Sequence, residues 1–137
     1  MSKFSRILRR YRASRAEPWE QNYDPPVNLT DLECAIVKCI FAKHPELKTK
    51  ENCNLRVVGR QYTVVGLFAD FHSNWLEKIK PRKHNILFPD VLIESPEIDC
   101  GGGALAFTDN YVLLGIEMFA HGSFFGENIS EFEITDI

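Results

Sequence analysis

No lysine or arginine follows Lys83 in this chain of 137 residues. Sixteen bases and nine acids precede residue 90, a formal charge of +7, whereas residues 90–137 hold ten acids and no base, a charge of −10. A segment of one sign projects a field that attracts cations and repels nucleic acid, so nucleic acid is not the expected partner. The acidic part either faces a cationic partner or neutralises the basic part of its own chain.

Other scarcities exclude further classes. No apolar run approaches the roughly 18 residues that span a bilayer, so no integral membrane protein is expected. The four cysteines, Cys34, Cys39, Cys53 and Cys100, are too few and too irregular for a disulfide or metal framework. Cys34 and Cys39 would point in different directions on one helix. Reduced core cysteines are therefore expected, and without a secretory h-region at the amino end the expected compartment is the cytoplasm. The sequence has no G-x-S-x-G, no Cys–His motif, no H-E-x-x-H and no His/Cys pair with zinc spacing. Neither metal nor cofactor is expected.

What is present suits one globular domain over 1–137. Residues 1–16 carry six basic residues and no acid, with Phe4, Ile7, Leu8 and Tyr11 on one stripe of a basic amphipathic helix. Packing on the domain, mitochondrial targeting, and a nucleic-acid or membrane-surface arm are the readings of that helix, the last with little aromatic interleaving to support it. Pro18, Pro25 and Pro26 make 17–27 a linker, leaving 28–137 as the core. Thr30-Asp31-Leu32-Glu33 is a capping box opening a helix over 31–44, whose apolar stripe runs Leu32, Ala35, Ile36, Cys39, Ile40. Residues 55–68 read as two strands or one bent strand, with Gly59 and Gly66 at a turn or bulges. Ser73 is placed to cap a short helix stopped by Pro81. Ile86, Phe88, Val91 and Ile93 alternate imperfectly around Pro89, as in an edge strand.

Residues 103–108 and 111–119 then form a hairpin about an Asp109-Asn110 turn, with Val112, Leu114, Ile116 and Met118 on one face. Gly101-Gly102-Gly103 enters a strand with no lysine nearby, so it is not a phosphate loop and instead permits a bulge or close backbone approach. Glu117 faces away from Ile116 and Met118, alongside Tyr111, Leu113 and Phe119. A structural acceptor fits it better than a general base paired with His121, because a Glu–His pair alone defines no reaction. The fold class is α+β, a mostly antiparallel sheet of four to six strands packed against a few helices, with strand 111–119 central.

The sequence Gly-Gly-Gly-Ala-Leu-x-Phe, a turn, then Ile-Glu-Met-Phe-Ala-His-Gly and a final Phe-Glu-Ile resembles small bacterial proteins with a "GGG…LE-x-x-x-x-G" ending. Some of these are immunity proteins of polymorphic toxin or contact-dependent growth-inhibition systems. The resemblance covers residues 101–134, and Gly115-Ile116 stands where Leu-Leu or Cys-Leu is common. It implies a non-enzymatic cytoplasmic protein that neutralises a cognate toxin domain. Many such toxins are nucleases with cationic sites, for which an acidic inhibitor is suited. The acids outside the apolar stripes are the candidates for contact: Glu94, Glu97, Asp99, Asp109, Glu127, Glu131, Glu133 and Asp136. Tyr111 and Phe124 are the aromatic anchors beside them.

Overall fold

The computed structural model describes residues 25–48, 55–72 and 85–137. The expected helix over 1–16, most of the linker, the segment that Ser73 would cap and Cys53 lie outside these residues. Helix α1 (Asp31–Lys43) starts where the capping box places it: Thr30 Oγ1 accepts from the Glu33 amide at 3.2 Å, and Glu33 Oε1 accepts from the Thr30 amide at 2.8 Å. Its Leu32, Ile36, Val37 and Ile40 are buried, and His44 caps it immediately before Pro45.

Seven strands follow: β1 (Arg56–Thr63), β2 (Gly66–His72), β3 (Asn85–Leu87), β4 (Val91–Glu94), β5 (Gly102–Asp109), β6 (Val112–Ala120) and β7 (Glu133–Asp136). They form one antiparallel sheet in the order β1-β2-β6-β5-β4-β7, with β3 also paired to β5. The fold is single-domain α+β. The sheet has one strand more than the upper end of the sequence expectation, because the segment around Pro89 splits into β3 and β4. A proline lacks the N–H that a continuous ladder needs. Among the described residues there is one helix rather than a few.

Side chains alternate across the sheet. Val57, Leu67, Ala69, Phe71, Val91, Ile93, Ala104, Ala106, Ile116 and Met118 join the apolar side of α1 in the larger core cluster. Leu105, Phe107, Val112 and Leu114 form a second buried cluster on the other face, with Phe68, Ile86 and Phe119 against it. Strand β6 is central and buried on both faces, as its sequence implies.

The hairpin departs from simple alternation at one point. The β5–β6 register slips between Phe107 and Thr108, so that Leu113 and Gly115 face consecutive residues of β5 and Leu114 is the extra one. Leu113 therefore packs with Ile116 and Met118, while Val112 and Leu114 lie on the opposite face. This reverses the face expected for these three residues. A second slip lies between Val57 and Gly59. Both slips border the same transverse row, because Asp70 pairs with Gly59 on one side and Gly115 on the other.

The turn is one residue later than expected, Asn110-Tyr111, with φ of 50° and 64°. Positive φ at both central residues matches a type I′ hairpin, and the geometry is costly for a tyrosine. The three glycines divide their roles. Gly101 has φ of 69°, and a Cβ on Gly102 would run into the Phe119 carbonyl, so the expected close approach is at Gly102.

Candidate functional site

The last strand brings distant acids together. Strand β7 pairs with β4 so that Glu94 stands opposite Glu133, Ile93 opposite Ile134, Leu92 opposite Thr135 and Val91 opposite Asp136. Val91 and Ile93 turn into the helix-side core, so Glu94 and Glu133 project from the other face. Like charges directly opposite in an antiparallel pair repel. Glu131 arrives from the connection to β7, whose Ile129 and Phe132 pack against the core. Glu94, Glu131 and Glu133 thus line one open groove of about 630 Å³, walled by Leu92, Pro96, Cys100 and Phe132. Among the described residues none of these three carboxylates has an ion-pair partner.

The turn over 95–101 adjoins this groove and is locked to the segment 121–126. Asp99 accepts from the Ser123 amide at 2.9 Å and from Ser123 Oγ at 3.0 Å, and these bonds hold its carboxyl below the usual aspartate value of 3.8. The Gly126 amide donates to the Glu97 carbonyl at 2.8 Å, and the Asp99 amide to the Phe124 carbonyl at 2.9 Å. Glu97 is half-buried here, and Phe124 is 53% exposed. Beside Asp99, Cys100 is exposed, and its hydrogen bond to that carboxylate raises the thiol above its usual range.

Cys34 is also exposed, so Cys34 and Cys100 are not the core residues expected, whereas Cys39 is partly buried and packs against the larger core cluster. They sit on a helix whose buried stripe is set by Leu32, Ile36, Val37 and Ile40, and on a tight turn.

The remaining candidates lie elsewhere. Asp136 projects on the helix side and ion-pairs with Lys43 at 3.1 Å, while the same ammonium donates to the carbonyls of Pro89 and Asp90. Glu127 is exposed beside Arg60 and Tyr62, along a separate groove of about 430 Å³. Asp109 and Tyr111 are at the far end of the hairpin, where the Tyr111 carbonyl accepts from the Lys48 amide at 2.7 Å. The structure therefore gathers Glu94, Glu131 and Glu133 along one groove, sets Glu97, Asp99 and Phe124 on the adjoining turn, and separates Asp109, Tyr111, Glu127 and Asp136.

Glu117 is 3% exposed, between Phe68 and Leu105 across the sheet. His121 is exposed, and its ring meets the Phe119 ring edge-on at 5.7 Å. Four residues along extended chain is about 13 Å, so the two are not brought together. Among the described residues no group of three or more His, Cys, Asp or Glu is placed to hold a metal ion, and no helix is long and apolar enough to cross a membrane.

One carboxylate of consequence was hidden in the capping box. Glu33 is fully buried, and both its oxygens also accept from Arg60: Nε to Oε2 at 2.8 Å and Nη2 to Oε1 at 2.6 Å. This hydrogen bonding raises the Arg60 guanidinium above its usual range. The neighbours of Arg60 in the sequence, Gly59 and Gln61, give no hint of this partner. The signal was the arginine itself, inside a strand pattern whose alternate residues face the core.

Comparison of the chain with models of protein families, with curated proteins and with solved structures finds no match to any.

Proposed function

We propose that this chain is a non-enzymatic, cytoplasmic immunity protein that binds and neutralises a cationic toxin domain, most plainly a nuclease, through the acidic groove between β4 and β7. The observation that carries the reading is the Glu94–Glu133 pair: two glutamates directly opposite in an antiparallel ladder, lining one groove with Glu131, with no ion-pair partner among the described residues. Such an arrangement is unfavourable in the free protein and is relieved by a lysine or arginine from outside. The uniform sign of residues 90–137 supports the same reading, since it would steer a phosphate-binding site toward the groove and compete with nucleic acid there. Glu97, Asp99 and Phe124 then extend the contact along the adjoining turn, with Phe124 as the aromatic anchor.

The test is protection in cells. A toxin domain encoded beside this gene should arrest growth, and co-expression of this chain should restore it. The double reversal Glu94→Lys/Glu133→Lys should abolish protection while the protein stays folded by circular dichroism. Association should be fast at low salt and slow steeply as salt rises, because exposed charges are screened beyond about 8 Å at physiological ionic strength. Protection that survives the double reversal, or binding indifferent to salt, removes the groove from the interface.

A further inference from the structure

Among the described residues strand β7 ends the sheet, pairing with β4 alone, and none of them pairs with its outer edge. At the opposite end of the sheet β1 is partly covered, because Val27 and Val57 exchange both main-chain hydrogen bonds at 2.9 and 2.8 Å. The phase of β7 follows from one bond: the Ile137 amide donates to the Asp90 carbonyl at 3.0 Å. Antiparallel ladders alternate, so Glu133 and Thr135 also direct their main-chain groups toward β4. The N–H and C=O groups of Ile134 and Asp136 point outward.

We infer that the cationic partner docks by adding an extended strand to this edge. The inference rests on the reading proposed above and gives its mode of contact. The partner's main chain bonds the outward groups of Ile134 and Asp136, which supplies affinity independent of side chains. Its side chains are dictated by the faces of β7. Opposite Glu133, on the groove side, stands a lysine or arginine, which places a cation next to the Glu94–Glu133 pair. Opposite Ile134, whose side chain packs toward the helix-side core, stands an apolar residue. The docking segment therefore alternates cationic and apolar residues. A second copy of this chain brings no cation to that place. Two β7 strands paired antiparallel through the outward groups of Ile134 and Asp136 would set Glu133 against Ile137 or Thr135, leaving the Glu94–Glu133 pair uncompensated. Only a basic strand answers the charge at this edge.

The test uses the full chain and a synthetic β-hairpin whose outer strand alternates lysine and valine, beside the same hairpin N-methylated along that outer strand. At low salt the unmethylated hairpin should bind and slow hydrogen exchange at the Ile134 and Asp136 amides, read by NMR. The methylated one should bind at least about fivefold more weakly, the loss expected for one net hydrogen bond. Asp136→Pro removes an outward N–H at an edge position where proline is tolerated. It should weaken the unmethylated hairpin about fivefold relative to Asp136→Asn, which controls for the lost carboxylate. Equal binding of both hairpins without protection of those amides overturns strand addition and leaves the acidic groove as the binding surface. Failure of both hairpins to bind at low salt overturns strand addition and the acidic-groove reading together.

Discussion

Two pairs of charged groups at opposite sides of the sheet are built on opposite principles. On the β1 side, Glu33 is fully buried and every described contact is complementary: two bonds from Arg60 and one from the Thr30 amide at the start of α1. On the β4–β7 side, Glu94 and Glu133 are exposed and opposed. The first arrangement fixes a helix onto a strand. Removing Arg60 leaves the Glu33 carboxylate stranded in the interior, so the pair is far more expensive to break than to have formed. The second is tolerable because water screens it, and it leaves the protein slightly better off when a cation arrives. The contrast separates acids that serve the fold from acids available to a partner, a distinction that net charge cannot make.

The largest effect should come from breaking the paired side. Arg60→Leu should lower the unfolding free energy by about 3–5 kcal/mol, measured by urea denaturation, because it strands the Glu33 carboxylate. A loss under 1 kcal/mol would show that the ion pair is dispensable. Glu117→Gln should cost less, about 1–3 kcal/mol, as for a weakened buried charge-assisted hydrogen bond. It should leave partner binding intact in the folded protein. Lost binding at an unchanged melting temperature would move Glu117 from the fold to the function.

The opposed side should respond with the other sign. Glu94→Gln should raise stability by about 0.2–1 kcal/mol at low salt, since it removes a cross-strand repulsion. The gain should fade as salt screens the pair, and association with a cationic partner should weaken. Destabilisation by this change would mean that the two carboxylates do not repel. The smallest effect is at Asp99, whose folded-state pKa is depressed by its bonds to Ser123. A depressed carboxylate contributes stability above its unfolded value of 3.8 and loses it as pH falls through the lower folded value. Hydrogen exchange at the Ser123 amide should therefore accelerate, relative to its intrinsic rate, only below about pH 4. An Asp99→Asn variant should lose that dependence.

The parts of this molecule that are local in sequence were readable from it. The capping box needs four consecutive residues, and the hairpin needs a turn between two apolar runs, so both elements were found to within a residue or two. The Glu33–Arg60 pair spans 27 residues, and the capping box alone accounts for a glutamate at position 33, so the sequence carries no separate sign of the pair. The faces of Val112, Leu113 and Leu114 are not legible in the sequence because all three are apolar. A bulge leaves no mark in an unbroken hydrophobic run. For the candidate site, the sequence disclosed the quantity of acid but not its placement. Glu94 and Glu133 meet only because β7 pairs with β4, and no pattern in either strand specifies that register.

The two register slips that flank Asp70 amount to a crease across the sheet. A bulge bends its own strand and sharpens the local twist, and here β1 and β6 are both bulged beside the same residue of β2, with Gly59 and Gly115 offering no side chain to stiffen the fold line. The hairpin tip carrying Asp109 and Tyr111 lies on one side of that line, and the groove with Glu94, Glu131 and Glu133 lies toward the other end of the strands. The groove and the tip thus belong to different parts of the sheet, and a contact confined to the groove does not include Tyr111.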